Sequence, residues 1–347
     1  MKRIRLSIHC ILLLFFSWNC AEATEARIIG TSRIELPSGA FWIDNSWRSR
    51  HSYAQYEPVR WRNVTGCLNV LQTEQIPINT KGLTDLFISG SANPTLVNFT
   101  WLKETYGKKH PVYVIDLRQE THLFVNGLPI SVYYKKNQIN WGKDTTEISL
   151  TEHNWSKQLR GAGSIQINQL GRPRQGLKVP ENPLTIKIEE AYTEEEVAHE
   201  AGLNYFRLTV PDYHPPAPYQ VDQFLKLIQK IPSNSWLHFH CAAGKGRTTT
   251  FMVMRDILTN AKLVSLEDII ARQALAGGID LFGPAESLTA QPWKNEIHQA
   301  RINYIKLFYT YINTGAYPSQ SFTDWITNQP DGPYKSLLKT DAYNKTM

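Results

Sequence analysis

The sequence predicts an α/β fold built on a largely parallel sheet. Three observations carry this expectation. Strand-like and helix-like stretches alternate from about residue 111 to 312. The strand-like stretches are continuous apolar, β-branched runs, as strands buried on both faces are. The stretches between them are long enough to cross back over a sheet and carry helix periodicity and capping signals.

The elements follow in order. "PVYVIDLR" (Pro111 to Arg118) reads as a buried strand. "YTEEEVAHEAGL" opens a helix, with Thr193 and Glu196 in capping-box spacing. "NYFRLTV" reads as a strand. "YQVDQFLKLIQK" reads as an amphipathic helix with Val221, Phe224, Leu225 and Ile228 on one face. "SWLHFH" is a further strand, and "TTTFMVMRDIL" continues from it as a buried helix. "SLEDIIARQAL" and "WKNEIHQARINYIKLFYTYI" supply two more helices. Ahead of this core, residues 24–80 are rich in Trp, Tyr, Asn and Ser, and "ARIIGTSRIEL" and "GCLNVLQ" read as short strands. Residues 128–190 alternate and carry many turn residues. The pieces at about 27–70 and 128–180 therefore predict a small β-rich unit. It packs on a core formed by about 80–127 and 181–330.

The chain of 347 residues is 42% hydrophobic and 20% charged, which is ordinary for a globular protein and excludes a low-complexity chain. Its first 23 residues have the order of a secretory signal: Lys2, Arg3 and Arg5, an apolar run through Trp18, then Ala21-Glu22-Ala23. Cleavage after Ala23 and export to a periplasm or medium are expected, and the apolar run is short for a membrane span. The segment carries three Lys/Arg and one Glu, so its loss lowers the formal net charge from +6 to +4. A mild basic excess suits anionic small molecules; with no basic tail, nucleic acid is not an expected partner. Of four cysteines, Cys10 and Cys20 leave with the signal, so Cys67 and Cys241 do not make a disulfide scaffold.

The stretch "WLHFHCAAGKGRTTT" (Trp236 to Thr250) carries the chemistry. Cys241 and Arg247 are separated by five residues that include Gly244 and Gly246, between a predicted strand and a predicted helix. A loop in that place can turn the backbone N–H groups of Ala242, Ala243, Gly244, Lys245 and Gly246 inward, toward the positive end of the following helix. Arg247 offers a planar fork to two oxyanion oxygens. The same field favours thiolate over thiol, making Cys241 a nucleophile, with Thr248 placed to donate its hydroxyl to the sulfur. His240, directly before the cysteine, joins this catalytic group. A nucleotide-hydrolase loop requires Gly-x₄-Gly-Lys-Ser/Thr, but here Lys245 precedes Gly246 and Arg247. A dinucleotide fingerprint lacks its third glycine. A plain strand–turn–helix corner with a buried cysteine explains fewer of these residues together.

Cysteine-based phosphoryl transfer also needs an acid for the leaving oxygen. In "LTVPDYHPPAP", Asp212 follows a strand on a proline-shaped loop; it reads as that acid, or as an Asp that only caps the turn. His214 is a candidate substrate contact. A metal reading of the Asp212/His214 pair lacks a third ligand.

With these residues in view, the chain resembles the protein-tyrosine-phosphatase-like inositol polyphosphate phosphatases, or cysteine phytases. The resemblance rests on "GLTDLFISGSA", "DLRQETHLFVNGLPISVYYKKN", "AGLNYFRLTVPD", "WLHFHCAAGKGRTTTFMVM" and "RQALAGG". It implies a phosphatase α/β core with a small partial β-barrel, and hydrolysis of myo-inositol hexakisphosphate and lower inositol polyphosphates through a phosphocysteine. It implies neither metal nor cofactor, no stable membrane anchor, and a monomer or homodimer. Cys241 becomes the nucleophile, Arg247 the phosphate clamp and Asp212 the acid and base. Asp116, Arg172 and Arg174 of "LGRPR", and Lys294 after Trp293 become substrate contacts. For Asp116, Arg118, Glu120 and His122 a structural hydrogen-bonded cluster is the other reading. The chain departs from its relatives at Ala242, often acidic there, at Lys245, often apolar, and at Tyr213, often His. Lys245 adds a cation beside a polyanion and so favours inositol phosphates, free or lipid-borne, over phosphotyrosine.

Overall fold

A computed structural model describes residues 40–43, 57–134, 137–174, 177–283 and 293–343; the expected signal segment and the run at Ala26 to Leu36 lie outside them. The order is β1 (Ala40–Ile43), β2 (Arg62–Asn63), α1 (Val64–Glu74), β3 (Ile88–Ser91), α2 (Leu96–Tyr106), β4 (Val112–Asp116), β5 (His122–Val125) and β6 (Leu128–Tyr133). Then come α3 (Thr145–Ala162), β7 (Ser164–Arg174), β8 (Leu177–Lys187), β9 (Ala191–Tyr192), α4 (Glu194–Glu200) and β10 (Asn204–Arg207). The chain continues with α5 (Pro218–Lys230), β11 (Trp236–His240), α6 (Gly246–Asn260), α7 (Leu266–Leu275) and α8 (Trp293–Asn313). Two short helices, α9 (Phe322–Thr327) and α10 (Pro333–Leu338), follow.

Five strands form the core sheet in the order β10-β4-β11-β3-β2. The four from β10 to β3 are mutually parallel; β2 adds to the edge antiparallel. The α/β expectation is therefore borne out. β11 is central, buried at every position, and ends at His240, so the Cys241 loop opens at the carboxyl end of the sheet, where open parallel sheets bind ligands. Gly90 on β3 lets α6 approach: a Cβ there would lie 2.5 Å from Met252 Sδ and 2.8 Å from Thr248 Cγ2. One face of this sheet (Ile88, Ile115, Leu237 and Phe239) packs with Phe251 and Met254 of α6 and with Phe308 of α8. Each such side chain contributes about 1.5–3 kcal/mol by leaving water.

The second sheet has six strands in the order β8-β7-β1-β6-β5-β9. It encloses its own core of Leu123, Val125, Ile130 and Val132 against Trp155 and Leu159 of α3. Among the described residues no pairing joins its two edge strands, β8 and β9.

Two local expectations are corrected. "GCLNVLQ" is not a strand but part of α1: Asn63 caps the helix by accepting from Gly66 N, and Val64, Cys67 and Leu71 are buried at helical spacing. The stretch at 128–180 is not β throughout. It contains the 18-residue helix α3, opened by a reciprocal Asp144/Glu147 capping box and burying Ile148, Glu152, Trp155 and Leu159 on one face.

Below the site, Arg272 of "RQALAGG" is fully buried and ties α7 to α6 and to the loop before β3. It pairs with Asp256 through Nε at 2.7 Å and through Nη2, and Nη1 donates to the carbonyls of Asn79 at 3.0 Å and Lys81 at 3.1 Å. Asp256 also accepts from Asn260 and Gln273. Asp256→Ala strands a buried guanidinium and is expected to cost about 3–5 kcal/mol in urea unfolding. A loss below about 1 kcal/mol contradicts this assignment.

Candidate active site

The loop from Cys241 to Arg247 starts at the end of β11 and closes on the first turn of α6. Gly244 adopts φ +66°, and a Cβ on it would lie 2.4 Å from Ala92 N, so no other residue fits this turn. The loop's carbonyls face away from the cysteine. Ala242 O accepts from Asn93 N at 3.4 Å, Ala243 O from Arg60 Nη1 at 2.7 Å and Gly244 O from Arg62 Nη1 at 2.7 Å. Thr248 Oγ1 donates to Cys241 Sγ at 3.2 Å. Burial pushes the Cys241 thiol up, but the Arg247 charge and the Thr248 side-chain and backbone hydrogen bonds outweigh it and hold the thiol below its usual range.

Arg247 is 3% exposed and does not wait in solvent. Its Nη1 donates to Glu120 Oε2 at 2.7 Å, to Val210 O at 3.1 Å and to Leu117 O at 3.2 Å; its Nη2 donates to Glu120 Oε1 at 2.8 Å. Asp212 Oδ1 stands 3.0 Å from the same Nη2. The structure thus brings Asp212 to the cysteine loop from a separate strand end. Asn137 Nδ2 holds its other oxygen at 2.8 Å. Behind it, Tyr213 sits at φ +69°, its carbonyl accepts from Arg301 Nη2, and its ring meets Trp293 edge-on at 5.1 Å. Lys294 Nζ lies 4.6 Å from the centre of that ring.

A second cluster of buried charge lies under the loop. His240 Nε2 is 2.6 Å from Glu194 Oε1, and Glu194 Oε2 is 3.1 Å from His122 Nε2. His122 Nε2 is also 3.3 Å from Asp116 Oδ2, which is 3.1 Å from Arg207 Nε; Arg207 Nη2 in turn donates to Glu152 at 3.1 Å. Asp116, Glu194 and His240 offer ligand atoms within 4.8 Å of one another, the one group among the described residues that matches a metal donor set. The 2.6 Å separation of Glu194 Oε1 and His240 Nε2 is shorter than the spacing of two ligands about 2.0–2.2 Å from one ion at tetrahedral angles. The cluster balances its carboxylates with guanidinium and imidazolium instead.

Two expected substrate contacts are corrected. Asp116 is fully buried: it accepts from Tyr205 Oη at 2.8 Å and from Arg118 N at 2.9 Å, besides pairing with His122 and Arg207. It has no face for a phosphate, and its negative charge would repel one; it belongs to the hydrogen-bonded cluster. His214 is 4% exposed and packs edge-on between Trp141 and Tyr343. Burial is the main cause of its pKa falling to about 4, so it stays neutral and structural. Arg172 and Arg174 lie at the end of β7, and their side chains are outside the described residues. Ala242, Ala243, Lys245 and Gly246 lie in the half-buried part of the loop. Sequence reasoning missed Arg60, Arg62, Glu194 and Arg301, because each meets the loop only through long-range folding.

The family model for protein-tyrosine-phosphatase-like phytases, described by inositol hexakisphosphate, matches residues 115–259, which span β4, the Asp212 loop and the cysteine loop. Over that segment the chain is similar to this family. A solved relative is the protein-tyrosine-phosphatase-like myo-inositol phosphatase of Mitsuokella multacida in complex with myo-inositol-(1,3,4,5)-tetrakisphosphate: TM-score 0.73, 29% identity, covering 86% of this chain and 50% of that one. A phytase of this type from Bdellovibrio bacteriovorus aligns with TM-score 0.62 and 27% identity, over 87% of this chain and 100% of that one. Among curated proteins, effector protein hopD2 of Pseudomonas syringae pv. tomato is 29% identical over 261 residues, 74% of this chain and 55% of the relative. The chain therefore spans about half the length of hopD2 and of the Mitsuokella protein.

The buried cluster carries a pH prediction. Burial and Arg118 oppose charge on His122, yet Asp116 and Glu194 outweigh them and raise its pKa from 6.5 to about 10. A raised pKa stabilises the fold fully below about pH 6.5 and loses that contribution as pH climbs toward 10. Relative to His122→Asn, the wild-type protein should lose up to about 1.4 kcal/mol per pH unit across that window in urea unfolding. Parallel curves would show that His122 does not carry the proton.

Proposed function

We propose that the chain is a cysteine-dependent phosphomonoester hydrolase acting on inositol polyphosphates. The observation that carries this reading is the convergence on Cys241. A thiol held below its usual range, a guanidinium fork, a hydroxyl on the sulfur and a carboxyl group from a separate loop meet at one strand end. The match to the phytase family model over residues 115–259, and a relative solved with an inositol tetrakisphosphate, support the substrate class. Export through residues 1–23 belongs to the same proposal.

The chemistry follows from these positions. Cys241 as thiolate attacks phosphorus in line with the ester oxygen; the P–O bond breaks, and Asp212 passes its proton to the leaving alkoxide. Water then attacks the phosphocysteine, with Asp212 taking its proton and the P–S bond breaking. Thr248, bonded to Sγ, stabilises the returning thiolate. Glu120 occupies both Nη nitrogens of Arg247. The edge left for phosphoryl oxygens is Nε with the outer Nη2 hydrogen, where Asp212 now stands. Phosphate and Asp212 thus meet at one guanidinium, which sets acid and ester side by side. Lys245 and Lys294 supply cations for neighbouring phosphates on the ring.

Cys241→Ser should abolish phosphate release from inositol hexakisphosphate. Asp212→Asn should lower kcat by about 10²–10⁴-fold, because an alkoxide leaves poorly without a proton. Side-by-side assays should place inositol hexakisphosphate ahead of a phosphotyrosine peptide and a phosphoinositide. Full turnover by either variant sinks the mechanism. Preference for the peptide or the lipid sinks the substrate class, and ligand binding without release by the wild-type protein marks a non-catalytic binder.

A further inference from the structure

We propose that Arg60 and Arg62 are positioning residues that shape the cysteine loop from behind. Both precede the segment that the family model matches, residues 115–259, so the loop depends on chain outside that segment.

Three consecutive loop carbonyls are pinned on the side away from the cysteine. Asn93 N holds Ala242 O at 3.4 Å, Arg60 Nη1 holds Ala243 O at 2.7 Å and Arg62 Nη1 holds Gly244 O at 2.7 Å. In a trans peptide the C=O and the next N–H point in opposite directions. Fixing the carbonyls of Ala242, Ala243 and Gly244 outward therefore turns the N–H groups of Ala243, Gly244 and Lys245 toward the sulfur. Those are the donors of an oxyanion cradle. Left to itself, a loop that aligns several like dipoles is unfavourable, and two guanidinium groups on the carbonyl side offset that cost.

Arg62 does more than bond a carbonyl. Its Nη2 donates to Thr249 Oγ1 at 3.2 Å, and that hydroxyl also accepts from Ile279 N at 3.2 Å. One planar fork thus ties the loop to the first turn of α6 and to the segment after α7. A lysine ammonium is a point charge and lacks that rigid span. Arg62 is 3% exposed, so this fork is shut in behind the loop. Arg60, itself at φ +58° and half-buried, holds the carbonyl of Ala243.

The proposal requires the cradle reading of the loop but not any particular ester. The test uses the full chain as wild type and as Arg62→Ala, Arg62→Lys and Arg60→Ala. Cys241 alkylation by iodoacetamide is followed against pH, located by peptide mass spectrometry, and repeated with inorganic phosphate as protectant. Arg62→Ala is expected to raise the apparent thiol pKa by about one unit or more and to weaken phosphate protection at least about tenfold. Arg60→Ala is expected to weaken protection as well. Arg62→Lys keeps the charge but not the rigid span, so its protection should also fall. A folded Arg62→Ala with the wild-type alkylation profile and protection overturns the proposal. Should that variant not fold, wild-type protection in Arg62→Lys overturns it. A wild-type protein with an ordinary thiol profile would instead remove the cradle itself, and the proposed function with it.

Discussion

A guanidinium shut away from water must find its counter-charge inside the protein, and Arg247 finds it in Glu120. That pair sets the orientation of the catalytic fork before any ligand arrives, and it joins two elements 127 positions apart in sequence. Glu120 is held ionised: burial opposes its charge, but Arg247 and Arg118 bring its pKa down to about 2. Breaking such a pair leaves an uncompensated buried charge, which costs far more than the pair contributes when intact. The same logic extends outward through His240, Glu194, His122, Asp116, Arg207 and Glu152. Strands of the core sheet, the six-stranded sheet and α3 all donate members to this cluster, so the two sheets are held to each other directly beneath the cysteine loop.

This arrangement explains why the loop can be dense with inward dipoles. The positive ends of its peptides face Cys241, and its carbonyls face arginines on the outer side. Gly244 supplies the one turn that a side chain would block. The acid loop is fixed separately, by Asn137 on Asp212, Arg301 on the Tyr213 carbonyl and Tyr343 Oη on the carbonyl of Pro215 at 2.6 Å. Nucleophile and acid are thus set by different supports and meet at Arg247.

Much of this was legible in the sequence because its signals are local. Capping boxes at Thr193 and apolar runs at "PVYVID" and "WLHFH" give strands and helices where expected, and the Cys241–Arg247 spacing names the loop. Local signals also misled. In "GCLNVLQ" four apolar residues fit a strand, yet Val64, Cys67 and Leu71 form a helical stripe whose first member lies outside that window. Asp116 looked like a ligand for phosphate because it sits at a strand end beside the site, but two cations, a backbone N–H and a tyrosine hydroxyl claim it. Arg60 and Arg62 gave no signal, since a guanidinium that bonds carbonyls 183 and 182 positions away has no pattern in its own neighbourhood.

The central claim is that Cys241 carries the phosphoryl group between the two steps. Rapid acid quenching of wild-type protein during turnover of inositol hexakisphosphate, followed by mass spectrometry of the peptide containing Cys241, tests it most directly. The account predicts one phosphoryl group on that peptide, bound to sulfur and absent without substrate. Steady turnover with an unmodified Cys241 peptide, or with the phosphoryl group on another residue, would contradict it.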